Sequence, residues 1–281
     1  MTVKIVTDTL SDITDDLAEE WGLTVVPLYV RFGKQIYRDR VEITTEDFYR
    51  RLVNEPVLPS TTQPTPNDFA GVYQKLAQET DEILVIVVSS KLSGTYQSAM
   101  QARDYLEGKC RVEIVDSLNV ALGEGLIVIS AAKAIKEGAD LATAAEVARR
   151  AISRCHLIAY FDTLKYLAKG GRIGKAQGLL GSVLSVKPIL TVKDGEMAPL
   201  TRVRSLSAGL DYLYNTVAGF KNIEGLALEH ATTPVDADNL AKRLGAIYPS
   251  ERIYRSVISP VIGTYAGPNA LALTILEAEK K

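Results

Sequence analysis

A glycine flanked by hydroxyl side chains, in Ser93-Gly94-Thr95, is the stretch of this sequence best suited to hold an anion. The apolar run 83–88 before it predicts a buried parallel strand, and residues 96–106 have a helical pattern. Because a helix begins with free amides and a positive dipole end, an anion would be stabilised there. The same residues also suit an ordinary helix cap, with Ser93 as the N-cap.

A second cluster of hydroxyls is framed by prolines, in Pro59-Ser60-Thr61-Thr62-Gln63-Pro64-Thr65-Pro66. The prolines stiffen its backbone, and each hydroxyl can donate a hydrogen bond. Polar turns also follow two other predicted strands, at residues 7–12 and 116–117. Because ligands of open α/β sheets lie beyond the carboxyl ends of the strands, we expect these turns to face one crevice.

These residue types suit binding better than catalysis. No histidine or cysteine lies near Ser93 or Thr62 in the sequence, and a serine without a base is a poor nucleophile. Asp8 and Asp12 could pair as acid and base or bind a metal, but a carboxylate that caps a helix is the commoner use. The two histidines and two cysteines are dispersed, so we expect neither a zinc site nor a cofactor.

Two segments combine apolar and small residues, and both are predicted to be helical. They are residues 118–129, within a long helix from Leu118 to Glu137, and residues 178–186. Core packing is the simpler explanation, and the composition favours it. A long apolar ligand would need walls of the same kind.

Alternating strands and helices in the first half of the chain must position the polar turns, and they predict a parallel sheet flanked by helices. From about residue 156 the pattern changes, with an Asp194-Gly195 hairpin signal that is typical of an α+β unit. We therefore expect an α/β protein of two domains. A Rossmann-like parallel-sheet domain would cover residues 1–155, and an α+β domain would cover residues 156–281.

Composition excludes several classes of function. The chain has 281 residues, is 47% hydrophobic and carries a formal net charge of −2, which argues against nucleic-acid binding. No apolar run is long enough to span a bilayer, and the first residues lack the core of a signal peptide. Two cysteines favour a reducing compartment, so we expect a cytoplasmic protein without stable membrane insertion.

The motifs resemble those of the DegV family, bacterial fatty-acid-binding proteins that include the acyl-binding subunit of fatty acid kinase. The resemblance follows the chain in order through residues 7–9, 59–64, 89–99, 115–117, 164–173 and 187–190. It implies a long-chain fatty acid buried between the two domains. Its carboxylate would be held by the hydroxyls of Thr62 and Ser93 and the backbone amide of Gly94, with Thr61 as a further member of the set.

The C-terminal motif departs from the family pattern. Where the family usually has Gly-Thr-His-x-Gly-Pro-Gly, this chain has Gly263-Thr264-Tyr265-Ala266-Gly267-Pro268-Asn269. Tyr265 keeps a hydrogen-bond donor near the head group but cannot supply an imidazolium charge.

The resemblance also implies a partner. Arg172 and Arg202 match basic positions that would face a separate kinase, which would phosphorylate the presented carboxylate, so the chain itself would not be an enzyme. Plain surface charge is the alternative for both arginines. Two other functions stay open: a phosphate- or nucleotide-handling α/β enzyme that uses Ser93-Gly94-Thr95 as an anion loop, and a regulatory protein that senses lipid occupancy.

Overall fold

The computed structural model describes residues 2–106, 108, 110–180 and 186–279. The strands are β1 Lys4–Asp8, β2 Leu23–Val26, β3 Tyr29–Phe32, β4 Gln35–Arg38, β5 Ser60–Thr62, β6 Glu82–Val87, β7 Arg111–Asp116, β8 Cys155–Tyr160, β9 Lys187–Lys193, β10 Glu196–Val203, β11 Ile223–His230, β12 Ile253–Val257 and β13 Leu271–Glu277. The helices are α1 Asp15–Trp21, α2 Thr45–Asn54, α3 Pro66–Leu76, α4 Thr95–Arg103, α5 Leu122–Lys136, α6 Leu141–Ile152, α7 Lys165–Gly170, α8 Leu206–Ala218, α9 Pro234–Leu244 and α10 Pro260–Ala266. Short 3₁₀ helices cover Thr9–Ser11, Gly174–Leu179 and Ser250–Arg252.

These strands form three sheets. A four-stranded parallel sheet has the order β2-β1-β6-β7, and a six-stranded mixed sheet has the order β10-β9-β8-β13-β11-β12. A small antiparallel sheet, β4-β3-β5, projects from the first half of the chain. The parallel sheet and the separate mixed sheet confirm the predicted fold class. The exact domain boundary, between residues 155 and 156, stays a prediction.

Helices cover both faces of the two large sheets. Helices α3 and α4 pack on one face of the parallel sheet, and α5 and α6 pack on the other. Helix α5 also contacts β8, β11 and β13, so it is shared between the two sheets. Helices α8 and α9 cover the far face of the six-stranded sheet. Within the described ranges, no helix is both long and apolar enough to cross a bilayer.

Local sequence explains several of these elements. Residues Ile83 to Val88 are fully buried, as expected for a central parallel strand covered on both faces. Helix α3 begins with Pro66 after a capping box, in which Thr65 and Asp68 satisfy each other's backbone amides. Asp194 and Gly195 have φ angles of +54° and +81°, the left-handed pair that a tight hairpin between β9 and β10 requires.

The helix predicted from Leu118 begins instead at Leu122. Leu118 and Ala121 have φ angles of +47° and +59°, so residues before Leu122 form a loop rather than a helical turn. The amide of Ala121 donates to the carbonyl of Leu10 at 2.7 Å, which ties this loop to the end of β1. The other predicted apolar helix covered residues 178–186. Of these, Gly178 and Leu179 belong to the 3₁₀ helix Gly174–Leu179, and residues 181–185 lie outside the described ranges.

Candidate functional site

A cavity of about 460 Å³ lies where the loops of the parallel sheet meet the six-stranded sheet. Its volume is within the range of about 300–1,000 Å³ that is usual for small-molecule sites. Most of its wall is apolar, with contributions from both halves of the chain: Leu10, Leu28, Val88, Val120 and Ala121 from the first, and Leu157, Ala159, Phe161, Met197, Ile258 and Ala272 from the second.

Small side chains on the six-stranded sheet leave room for this cavity. Ala159 on β8 and Ala272 on β13 are directly paired across the two strands, and both line the cavity. Paired residues on one face of a sheet lie close together, so the two alanines form a shallow trough in the sheet. The sequence analysis missed them, because a single alanine in an apolar strand gives no signal of which face it occupies.

The polar side chains on the wall are grouped together, and we call this group the polar end. It consists of Thr61, Thr62, Gln63, Thr65, Ser93, Ser98, Arg172 and Tyr265. Direct contacts join most of its members, including a hydrogen bond of 3.3 Å from Gln63 Nε2 to Ser98 Oγ. A cavity with apolar walls and one polar end suits a molecule with a long apolar part and one polar head.

Two separate elements bring Thr61 and Tyr265 together. Strand β5 pairs with β3 and thereby fixes Thr61 opposite Val30, while α10 carries Tyr265. The hydroxyl oxygens of Thr61 and Tyr265 are 2.5 Å apart, and either group can donate. The ring of Tyr265 can approach only because residue 170 is glycine: a Cβ there would lie 2.3 Å from Tyr265 Cδ1.

Arg172 lies at the polar end rather than remote from it. Its guanidinium carbon is 5.2 Å from the centre of the Tyr265 ring, a cation–π distance. Its Nε donates to the carbonyl of Leu92 at 3.2 Å and its Nη1 to that of Gly170 at 2.9 Å. No carboxylate in the described part of the chain pairs with it. The sequence analysis assigned Arg172 only to a partner surface, whereas the structure places its positive charge on the cavity wall.

Ser93 lines the cavity, but Gly94 does not. The hydroxyl of Ser93 is 2.9 Å from Thr95 Oγ1, and Gly94 is the N-cap of α4 without a side-chain cap. A Cβ on Gly94 would lie 2.3 Å from Gln63 Oε1, so the Gln63 side chain packs closely against the Cα of Gly94. The role of the Gly94 amide in holding a ligand stays a prediction, as do the roles of Thr61, Thr62, Ser93 and Tyr265.

The polar turns were expected to face one crevice, but two of them, at residues 7–12 and 116–117, give no polar side chain to the cavity wall, although Leu10 lines it. Asp8 is fully buried and accepts hydrogen bonds from the amides of Leu10 and Val88, at 2.8 and 2.9 Å. Burial raises the pKa of Asp8 to about 7. Asp116 accepts from the amides of Ser90 and Leu118. These side chains hold loops together through bonds from backbone amides, and they are absent from the residues that line the cavity.

The chemistry available at the polar end is hydrogen bonding and charge attraction. Among the described residues that line the cavity there is no histidine or cysteine. His156 instead contacts Glu277 at 2.8 Å, and partial burial lowers the pKa of His230. The hydroxyls of Thr61, Thr62, Ser93 and Tyr265 therefore lack an imidazole base that would make one of them a nucleophile. Together with Arg172 they can hold an anionic head group.

Comparison with known proteins gives consistent matches over nearly the whole chain. Residues 2–278 match a family model described as an uncharacterised protein of the DegV family. A DegV domain-containing protein of Caldanaerobacter subterraneus subsp. tengcongensis is 38% identical over 272 residues, which cover 95% of this chain and 96% of that protein.

Two solved structures are also similar. A fatty-acid-binding DegV family protein from Thermus thermophilus is 33% identical, with a TM-score of 0.90 and coverage of 99% of this chain and 100% of that one. DegV from Bacillus subtilis, described as a fatty acid binding protein, is 28% identical, with a TM-score of 0.88 and the same coverage.

Proposed function

The chain belongs to the DegV family, and from this membership and the shape of the cavity we propose that it binds one long-chain fatty acid. The observation that carries the proposal is a largely apolar cavity whose polar lining side chains are grouped together by direct contacts and by adjacency in the chain. The acyl chain would lie along the apolar walls, and the carboxylate would lie among Thr61, Thr62, Ser93 and Tyr265. The positive charge of Arg172, on the same wall, would attract that carboxylate.

Burial of the acyl chain would supply most of the affinity. Each buried methylene contributes roughly 0.8 kcal/mol, so about fourteen methylenes give a gross gain on the order of 11 kcal/mol before the cost of association. The head group would add less affinity and would mainly fix the orientation of the ligand.

The position of the polar end supports a carrier that presents its ligand. Thr62 is exposed and Ser93 is half-buried, so the head group would lie near the protein surface. A separate kinase could reach a carboxylate there, and the wall offers no imidazole or thiol that would do this chemistry itself. We therefore propose a non-catalytic cytoplasmic carrier that presents a fatty acid for acyl-phosphate formation and so feeds phospholipid synthesis.

A phosphate- or nucleotide-handling enzyme is the second candidate, and the polar end gives it less support. At the Ser93-Gly94-Thr95 loop, the Gln63 side chain packs against the Cα of Gly94, which leaves less room beside the loop for a phosphate. A sugar phosphate or a nucleotide would also leave much of the apolar wall without an apolar group to contact.

Denaturing mass spectrometry of the protein purified from a bacterial host distinguishes the two functions. We expect one equivalent of a fatty acid of long chain to be released. Release of a nucleotide or sugar phosphate, without lipid, would instead support the enzyme.

A further inference from the structure

The side chain of Gln63 connects two groups of hydroxyls at the polar end, and we call this connection the Gln63 bridge. Gln63 directly follows β5, which carries one group, and its amide reaches the start of α4, where the other group lies. Gln63 Nε2 donates to Ser98 Oγ at 3.3 Å, and the same amide packs against the Cα of Gly94. The strand and the helix are therefore in contact through one side chain of the cavity wall.

The contact with Gln63 explains why residue 94 is a glycine. Gly94 has a φ angle of −77° and a ψ angle of 7°, which other residues also adopt, so its backbone does not require glycine. A Cβ there would, however, lie 2.3, 2.5 and 2.6 Å from Oε1, Nε2 and Cδ of Gln63. Any larger residue at position 94 would therefore displace the Gln63 amide.

The two contact points of Gln63 on α4 lie on one helical turn. The amide of Ser98 donates to the carbonyl of Gly94 at 3.0 Å, which closes the turn between them. Ser98 is only 3% exposed and lines the cavity, so its hydroxyl is a buried partner for the Gln63 amide. Because a buried hydroxyl without a partner is unfavourable, this hydrogen bond stabilises the position of Gln63.

The same turn holds the hydroxyl of Ser93. The hydroxyl oxygens of Ser93 and Thr95 are 2.9 Å apart, and the amide of Thr95 donates to Ser93 Oγ at 3.3 Å. These contacts tie Ser93 to the start of α4. A displacement of that turn would therefore move the Ser93 hydroxyl on the cavity wall.

The other end of the bridge is a backbone with little freedom. Thr62 pairs with Tyr29 of β3, and Pro64 directly follows Gln63. A residue before proline is restricted to extended backbone, and proline itself has a fixed φ angle. The position of Gln63 is thus defined by β5, which allows its side chain to set the gap between β5 and α4.

We propose that Gln63 is a positioning residue that sets the separation between the β5 hydroxyls and the Ser93 hydroxyl to match one carboxylate. A carboxylate has two oxygens that accept hydrogen bonds, so hydroxyls on both sides of the gap can donate to it at once. A fatty alcohol of the same length presents one oxygen and gains less from this separation. The role rests on the proposed function, because it assigns Gln63 to recognition of the fatty acid head group.

Gln63→Ala tests this role through the choice between two ligands of equal chain length. Palmitate and 1-hexadecanol, each delivered from cyclodextrin, displace the fluorescent fatty acid cis-parinarate from delipidated protein. We expect Gln63→Ala to raise the Kd of palmitate at least roughly tenfold, as for loss of a hydrogen bond to a charged group, and to change that of 1-hexadecanol less than about threefold. Gln97→Ala, the same change at an exposed residue of α4 that does not line the cavity, is the matched control and should keep both wild-type values.

Gly94→Ala tests the Gln63 bridge from its other side. The new Cβ would displace the Gln63 amide, so this variant should lose the same preference for palmitate as Gln63→Ala. In the double variant the displaced side chain is already absent, so Gly94→Ala should add no further loss to Gln63→Ala. Thermal unfolding of every variant checks that it is folded.

Two results would overturn the role of Gln63 and leave the proposed function in place. One is an unchanged Kd of palmitate in Gln63→Ala, and the other is an equal loss for palmitate and 1-hexadecanol, which would indicate a general loosening of the cavity. A further loss from Gly94→Ala in the double variant would also contradict the bridge. If wild type binds neither palmitate nor cis-parinarate, the proposed function itself fails, and the role of Gln63 fails with it.

Discussion

At the scale of single residues, the polar end assembles side chains from separate elements. Thr61 comes from β5, Ser93 from the loop before α4, Arg172 from the loop after α7, and Tyr265 from α10. No two of them share an element, so their meeting depends on the whole fold. Each can hydrogen-bond to a carboxylate, and bonds to a charged group are stronger than neutral ones.

Removal of two hydroxyls should weaken fatty-acid binding without unfolding the protein. We expect Ser93→Ala with Thr62→Ala to cost on the order of 1.5–3 kcal/mol of binding free energy for each hydrogen bond to the carboxylate. The measurement is a fluorescent fatty acid titration together with thermal unfolding. Ser153→Ala, which removes an exposed hydroxyl at the end of α6, is the control and should bind as the wild type does. Unchanged affinity in the double variant would place the head group elsewhere.

Tyr265 gives a second test at this scale. Tyr265→Phe keeps the ring against Gly170 and Arg172 but removes the hydroxyl that contacts Thr61, so we expect moderately weaker binding. Tyr265→His should bind better at pH 5.5 than at pH 7.5, relative to wild type, because an imidazole ionises near pH 6.5. Titration of a fluorescent fatty acid into wild type and the two variants between pH 5.5 and 7.5 measures both the weaker binding and the pH dependence. Three superimposable curves would show that position 265 does not touch the head group.

Residue types predicted part of the polar end. The hydroxyls at Thr61, Thr62 and Ser93 stood out, and all three line the cavity together with Tyr265. The sequence analysis did not single out Gln63 and Ser98. The contact of Gln63 with Gly94 depends on the direction of the Gln63 side chain, which the spacing of residues in the sequence does not determine. The sequence analysis identified Arg172 by its charge. Its position on the cavity wall depends on the turn at Gly170 and Gly171 that ends α7.

At the scale of elements, α7 and α10 pack so closely that the site depends on a missing side chain. Gly170→Ala would place a Cβ 2.3 Å from Tyr265 Cδ1, so the ring must move. We expect weaker fatty-acid binding and a loss of about 1–3 kcal/mol of stability, as is usual for overpacking. Calorimetric unfolding and the fatty acid titration measure the two effects.

Gly71→Ala in α3 is the matched control for this substitution. A Cβ there would meet no described atom within 4 Å, and alanine favours the helix by roughly 0.5–1 kcal/mol. It should bind fatty acid normally and unfold at a slightly higher temperature. If Gly170→Ala behaves like Gly71→Ala, the contact between α7 and α10 does not position Tyr265.

The sequence predicted those elements whose signals are local. The buried run of β6 and the hairpin at Asp194-Gly195 depend on a few neighbouring residues, and both lie where expected. The start of α5 was misplaced, because the left-handed backbone at Leu118 and Ala121 is imposed by contacts with distant segments, including Leu10. Tertiary contacts of this kind override a helical pattern.

At the scale of the whole molecule, several carboxyl groups are buried. Asp8, Asp12, Asp39, Glu124 and Glu229 all have raised pKa values, with burial as the largest cause. A carboxyl with a higher pKa in the folded than in the unfolded chain binds its proton more tightly when folded. Stability therefore falls as the pH rises from the unfolded pKa to the folded one.

We accordingly expect the ligand-free protein to be more stable at pH 5 than at pH 7. The pKa values of Asp8 and Asp39 are about 7 in the folded protein. Ionisation of each carboxyl therefore lowers the free energy of unfolding by about 2 kcal/mol between pH 5 and pH 7. Together they would lower the Tm by on the order of 10 °C. Glu42 and Asp47 are exposed carboxyls with lowered pKa values, Glu42 through hydrogen bonds from the backbone and side chain of Arg38, and Asp47 through hydrogen bonds from Arg50 and Thr44. Their contribution to stability changes only at pH values below this interval. Calorimetry at constant ionic strength checks this, and a Tm that rises from pH 5 to 7 would contradict it.

The central claim is that a fatty acid occupies the cavity, and calorimetric titration of palmitate into delipidated protein tests it most directly. Wild type is compared with Ala159→Leu, which adds three heavy atoms to the cavity wall, and with Ala218→Leu, the same change at the exposed end of α8. We predict one palmitate per chain for wild type and Ala218→Leu, and at least roughly tenfold weaker binding for Ala159→Leu, because about three buried methylenes are displaced. A folded Ala159→Leu protein that binds palmitate as tightly as wild type, or a wild type that binds none, would contradict the account.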